Sequence, residues 1–414
     1  MAEAPVIVLG AGVAGLSAAL PLARAGRAVT VIDPLPPAGG ASFGNAGLLS
    51  PDTVVPIALP GMLRKVPRWL LDPLGPLVVR PRYLPRATPW LLRWIRAGRM
   101  ARVLAISDAM RALHGGAIAA WRELLGEADH AAFIRETGQV QLWDEAEETP
   151  GAALERALRE RHGIRAEPLG QAQIRDLFPG IAPHVARGLL IPGNGHTVNP
   201  GRMVRRLGEH LLAAGGRILA ERAMKLIPRE GGGWTVMTNL ANHPATDVVV
   251  AGGAWSRGLL DPLGIRVPLE TERGYHLMLP APSVTLALPI LYKSRNFGVT
   301  PMEEGLRAAG TVEIAGLEAA PDERRAARLL DLLRGLFPGL TGGTPRLWMG
   351  FRPSTPDSLP VLGPVRGHPG LHLCFGHGHF GMTGGPPGGK LVATMILGAR
   401  PAVDPTPYAL ARFG

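Results

Sequence analysis

The 414-residue chain holds one cysteine and four lysines, and only 5% of it is aromatic. One cysteine, Cys374, excludes an intrachain disulfide and any cysteine-cluster metal site, so no metal centre is expected. It lies in the apolar run 371–375, which reads as a strand burying the thiol as a small apolar group. No stretch of 18 uninterrupted apolar residues occurs, so no transmembrane helix is expected. The first residues enter an apolar strand with neither a basic n-region nor a cleavage signal, which makes a cytoplasmic location the expectation. With so few lysines, positive charge is arginine charge. Of the net +11, eleven basic residues between Arg64 and Arg111 against Asp72 and Asp108 contribute +9. No nucleic-acid-binding motif accompanies that charge, and nucleic acid is not an expected partner.

What is present is a folded composition, 46% apolar and 19% charged, with 55 glycines and 41 prolines marking many turns. The length exceeds one ordinary core, so two domains are expected. The opening residues carry the clearest motif. The apolar strand 6–9 runs into Gly10-Ala11-Gly12-Val13-Ala14-Gly15, then a helix with small residues, then the strand 28–32 ending at Asp33. Gly10 permits a tight turn, Gly12 lets backbone approach a pyrophosphate, and Gly15 lets helix and strand pack closely. The helix N-terminus offers free N–H groups to phosphates, and Asp33 stands where a carboxylate accepts from a ribose. Asp33 favours a ribose hydroxyl over a 2′-phosphate. NAD and FAD remain alternatives at this point.

Small residues crowd the segment Ser42-Phe43-Gly44-Asn45-Ala46-Gly47-Leu48, which suits backbone against a flat ligand or, equally, a surface loop. Trp90-Leu91-Leu92-Arg93-Trp94-Ile95-Arg96 alternates anchors with arginines. With Trp69 it reads either as an interfacial helix for an anionic membrane or as a solvated Arg-rich face on packed helices. Helices are expected over most of 111–178, with a strand at 139–143. His196 sits in a turn before a helix at 203–214, facing a substrate or satisfying local backbone. The run 247–255 repeats the buried-strand-then-glycine pattern with Gly252 and Gly253, so it returns to the first sheet beside the dinucleotide. Strands at 274–279, 296–301 and 310–314 suggest an antiparallel sheet, followed by an amphipathic helix at 321–337.

Two late segments carry chemistry. Gly350-Phe351-Arg352-Pro353 with Thr355-Pro356-Asp357 places one arginine in a tight context, and Gly376-His377-Gly378-His379-Phe380-Gly381-Met382-Thr383 is a glycine-rich lead into a helix at 390–397. Taken with Gly10 to Asp33, 42–51 and Arg273-Gly274-Tyr275-His276, the chain closely resembles the D-amino-acid oxidase-like flavoproteins. Within them it resembles the bacterial D-amino-acid dehydrogenases, most of all the branch oxidising D-hydroxyproline. One departure is the pair Pro386-Pro387, where relatives carry Thr or Ser and where proline offers no N–H.

The resemblance implies an α/β plus α+β architecture. A discontinuous Rossmann-like FAD-binding domain would comprise 1–60, 196–262 and 348–414, and an inserted substrate domain on a mostly antiparallel sheet with helices would comprise 61–195 and 263–347. It implies FAD, held non-covalently because no cysteine matches the family's attachment point. Asp33 would hold the ribose, with Gly252 and Gly253 near the pyrophosphate. Ser42, Asn45, Ala46, Gly47 and Leu48 would line the flavin ring, and Gly378, His379, Gly381, Met382 and Thr383 its pyrimidine edge. Arg352 would grip the substrate carboxylate; the rival role is an ion pair with Asp357. Tyr275 and His276 are pocket candidates of which one faces in, since alternate strand residues face opposite ways.

The implied reaction is dehydrogenation of a D-amino acid, D-proline or hydroxy-D-proline, by transfer of the Cα hydride to flavin N5. Electrons would go to a quinone at the inner face of the membrane or to a partner flavoprotein. Alternatives are an O2-using glycine- or sarcosine-oxidase-like enzyme, or a flavin-bearing electron-transfer subunit without turnover.

Overall fold

The computed structural model describes residues 4–61, 75 and 77–414. Arg64, Lys65, Arg68, Trp69 and Asp72 lie outside the described residues. A six-stranded sheet forms the first layer, in the order Arg217–Leu219, Val29–Ile32, Val6–Leu9, Val248–Val250, His368–Phe375, Val361–Val365. Its first five strands are parallel and the last closes as an antiparallel hairpin. Every residue of Val6–Leu9, Val29–Ile32 and Val248–Val250 is buried, as a parallel sheet covered on both faces requires. The helices Val13–Arg24 and Gly381–Ile396 lie together over this sheet. They approach so closely that a Cβ on Gly389 would stand 2.5 Å from the Ser17 carbonyl carbon.

The second of these helices starts well before the position expected from sequence and runs through Pro386 and Pro387. Pro386 has no N–H for the Met382 carbonyl one turn back. Trp121 supplies the missing donor, its Nε1 2.7 Å from that oxygen. The helix Pro200–Ala213 also begins before 203, because Asn199 accepts from the Arg202 N–H and Pro200 fits the first helical position.

The helices Leu84–Ala97, Met100–His114 and Ala117–Leu125 share one core with the dinucleotide-side helices, and this core also takes in Val79 and Ile314 of the second sheet. Trp90 and Trp94 are buried in it, and Trp90 donates to the Ser354 carbonyl. The tryptophans therefore serve internal packing, and an interfacial anchor built on them is ruled out. The exposed side keeps Arg86, Leu92, Arg93 and Arg96.

A nine-stranded, mostly antiparallel sheet forms the other half. Its path is Arg346–Ser354, Glu270–Leu279, Gly305–Ile314, Phe297–Met302, Ile290–Tyr292, Gln139–Trp143, Arg187–Ile191, Glu167–Leu169, with Leu77–Val79 beside Gly305–Ile314. The edge strand Arg346–Ser354 thus belongs here, across the boundary that the sequence division drew at 348. The helix Glu323–Leu336, capped by Asp322, packs on the far face. On the near face the register sets Glu272 opposite Arg352, Gly274 opposite Gly350 and His276 opposite Trp348.

Candidate active site

A cavity of about 1910 Å³ runs between the two sheets. At one end it is lined by Gly10, Gly12, Asp33, Gly252 and Gly253. Gly10 has φ 120°, and a Cβ there would strike the Ala251 carbonyl. Gly15 faces the protein, where a Cβ would drive into the Gly10 carbonyl oxygen. Gly12 differs: its nearest neighbour for a Cβ is Ser42 Oγ at 3.4 Å, so its open side belongs to the cavity. Asp33 accepts from the Ala11 and Leu35 N–H groups, both at 2.8 Å. Burial raises its pKa, against the pull of those two bonds. The Ser42 hydroxyl accepts from Val13 N–H at 3.0 Å, so it fixes the helix entry.

The segment after Ser42 is pinned by its carbonyls. Arg307 takes the Asn45 oxygen at 2.6 Å, His276 the Gly44 oxygen at 2.8 Å, and Thr300 the Ala46 oxygen at 2.7 Å. The N–H groups of Gly44, Asn45 and Ala46 donate no hydrogen bond among the described residues. Gly44, Asn45, Ala46 and Leu48 line the cavity. Gly47 does not; its φ of 78° and the Met302 Cε, 2.6 Å from a would-be Cβ, make it a packing glycine. Gly378, His379, Gly381, Met382 and Thr383 form the facing wall, where the Gly381–Ile396 helix begins. Two helix N-termini therefore point donors at one cavity, which suits phosphates at one and a developing ring anion at the other. This donor set fits a flavin dinucleotide. Cys374 also touches the cavity wall, yet burial pushes its thiol up to about 12 and its sulfur faces the Ala14 carbonyl. That thiol is a poor nucleophile for covalent attachment.

Arg352 lines the other end. Its guanidinium lies over Gly274, where a Cβ would collide with it, and Nη1 donates to the Thr311 carbonyl at 3.3 Å. No carboxylate oxygen among the described residues comes within 4.0 Å of it. The rival ion pair fails, because Asp357 is held by Arg412 at 2.8 Å. Burial lowers the Arg352 pKa and Glu272 opposes that shift. Glu272 itself accepts from His379 Nε2 at 2.6 Å. Burial would raise its carboxyl, but His379 and Arg352 outweigh that and hold it below the usual range.

Of the other candidates, Tyr275 lines the cavity but turns its hydroxyl away from it, while His276 and His196 do not line it. The Tyr275 hydroxyl points through the sheet's far face, donating to Glu313 at 2.6 Å and accepting from Asp322 N–H. His276 is on the near face but is covered by Trp348, stacked at 4.9 Å, and is not a lining residue. Burial and Arg307 press its pKa down to about 3. His196 lies in the buried strand Gly195–Thr197 between Leu48 and Arg135, away from the cavity. Sequence reasoning missed Glu272, Trp348, Gln139, Gln141 and Lys293, all of which line the cavity. For Glu272 the available signal was a charged residue in the strand-like run leading into Tyr275-His276-Leu277-Met278-Leu279, a strand whose ten residues are all buried.

The comparisons agree with this geometry. A family model described as FAD dependent oxidoreductase matches residues 5–395. The chain is 38% identical to a D-amino-acid oxidase of Bradyrhizobium diazoefficiens, over 99% of this chain and 98% of that one. It is 32% identical to a D-amino acid dehydrogenase of the same organism, over 99% and 98%. Among solved structures, glycine oxidase from Geobacillus kaustophilus aligns with TM-score 0.72 and 21% identity, covering 99% of both chains. L-proline dehydrogenase from P. horikoshii aligns with TM-score 0.77 and 17% identity, covering 99% of this chain and 98% of that one. With the family model matched from residue 5 to 395 and a 38% identical relative covered almost end to end, this chain belongs to the DAO family of FAD-dependent oxidoreductases.

Proposed function

We propose that the protein oxidises the Cα–N bond of D-amino acids. The observation that carries this reading is Arg352, a cavity guanidinium without a carboxylate partner among the described residues. A planar guanidinium grips a carboxylate through two parallel charge-assisted hydrogen bonds and fixes its orientation. Gly274, bare of a side chain, leaves the space that the guanidinium occupies. The pinned 44–46 segment and the Gly381 helix terminus would hold the ring and orient it toward Arg352. FAD, when bound, accepts the hydride from the substrate and passes its electrons on. The imine released hydrolyses to a keto acid, or persists as a pyrroline from a cyclic substrate. The names of the relatives supply the D configuration.

Anaerobic addition of a D-amino-acid panel to the holoenzyme tests the reading: the oxidised flavin band is expected to bleach. Arg352→Ala should keep FAD and lose about 10²–10³-fold in kcat/KM, since about 3–4 kcal/mol is at stake when a buried charge loses its partner. Unchanged kcat/KM in that variant ends the carboxylate assignment. D-proline and hydroxy-D-proline belong in the panel on the sequence resemblance; no lining residue selects a ring. A flavin subunit without turnover predicts no bleaching by any member.

For the electron acceptor we propose a non-O2 route at an anionic membrane. Support comes from the outward face of Leu84–Ala97, where Arg86, Arg93 and Arg96 flank Leu92, which is 49% exposed. No helix among the described residues is long and apolar enough to cross a membrane. Salt-sensitive binding to anionic vesicles, lost when these arginines become glutamate, is expected. Rapid colour return in air favours the oxidase alternative.

A further inference from the structure

The cavity continues well past Arg352. The registers set His276 beside Ala309, Ala309 beside Gly298, Gly298 beside Leu291, and Leu291 beside Gln141, so these residues form one row across the sheet. Alternate residues share a face. Gln139 and Gln141 therefore look into the cavity together, as do Leu291 and Lys293, and all four line it. The middle of the row is Ala309 and Gly298, which leaves the floor low. Tyr292 pairs with Phe297 and Phe297 with Gly310, next to Thr311 whose carbonyl receives Arg352. Lys293, one residue beyond Tyr292, thus stands two strand spacings, about 10 Å, from the strand whose Thr311 carbonyl receives the Arg352 guanidinium.

Three features of this end have no role in the chemistry described above. Gln141 is 7% exposed, and its Oε1 has no hydrogen-bond partner among the described residues. Lys293 Nζ lies 2.8 Å from Glu155, and Arg159 Nη1 lies 3.6 Å from the same carboxylate. Two cations therefore share one anion, and Arg159 Nε also lacks a partner among the described residues. Asp52, the other acid on this stretch of wall, is taken by Arg111. A closed ion-pair network has no use for an unpartnered buried amide, whereas a bound carboxylate needs both a donor and surplus positive charge. A primary amide presents either its NH2 or its oxygen by turning.

We propose that Lys293 and Gln141, backed by Glu155 and Arg159, form a second carboxylate subsite. The favoured substrates are then amino acids whose side chain ends in a carboxylate, held by Arg352 at one end and by this subsite at the other. The inference rests on the amino-acid reading of Arg352, and its test separates the two. Calorimetric titration of the holoenzyme with glutarate and with pentanoate compares two acids of equal length that differ by one carboxylate. Glutarate is expected to bind at least tenfold more tightly. In Lys293→Met and in the milder Gln141→Leu, that ratio should fall toward one, with the bound-flavin spectrum certifying the fold of each variant. A ratio near one in the wild type, or one that both variants leave intact, overturns the subsite. Anaerobic bleaching by D-glutamate against D-norvaline is read in parallel. If no D-amino acid bleaches the flavin, the functional reading fails while the glutarate ratio still decides the subsite.

Discussion

The two ends of the cavity are built from different materials. The dinucleotide end is backbone: Gly10, Gly12, two helix termini, and the 44–46 segment with its carbonyls tied down. The other end, where the proposed substrate binds, is side chain: Arg352, Glu272, His379, and beyond them Gln141 and Lys293. Backbone donors cannot be mutated away, so that end is vulnerable through the Cβ atoms it excludes. Side chains specify a substrate, so that end is vulnerable through the register that aims them.

The largest effect is expected where backbone meets backbone. Gly15→Val sets a branched side chain against the Gly10 carbonyl, which neither strand nor helix can yield. A loss of more than about 4 kcal/mol is expected from such overpacking, seen as apoprotein or insoluble protein. Recovery of a normal holoenzyme would show that the helix and strand separate more easily than their contact implies.

Gly274→Ala probes the other end by the same means. The new methyl takes the place of the Arg352 guanidinium, so FAD content should persist while kcat/KM falls about 100-fold, near 2.7 kcal/mol. A flavin lost together with activity would mean that the two ends are not separable. Trp121→Phe acts behind the wall they share. It leaves the Met382 carbonyl without a donor at the start of the proline-bearing helix, costing about 1–3 kcal/mol by chemical denaturation. An unchanged midpoint would show that water replaces the indole.

The most gradual effect is titration. Burial lowers His196 and His114 to about 4, and His276 and His377 to about 3. Their unfolded value is about 6.5. Between those limits the unfolded chain binds more protons, so stability is full above pH 6.5 and falls as the pH drops below it. Each histidine contributes up to about 1.4 kcal/mol per pH unit in that window. Denaturation midpoints that stay level from pH 7.5 to 5 would contradict their burial.

The dinucleotide end was legible because its determinants are local. Gly10 to Asp33 is one short strand–helix–strand unit, and the positions of its glycines follow from chain geometry alone. Arg352 was singled out through the resemblance its segment carries, and the return of Val248–Val250 to the first sheet was legible from its pattern. The facing of Tyr275 and His276 was not. A strand's alternation says that they face opposite ways, but only the neighbouring strands say which way is in, and Trp348 then covers the one that faces in. His196 looked like a turn residue because its strand has three residues, too few to announce itself. The helix expected from 390 begins at Gly381 and passes Pro386 and Pro387, with a tryptophan 261 residues distant in sequence donating to the Met382 carbonyl. The sequence by itself determined the cofactor end, since glycines, a strand and an acid act through the chain next to them. Only the tertiary structure decided the substrate end, because Arg352, Glu272, His379, Gln141 and Lys293 become neighbours through strand register and not through spacing.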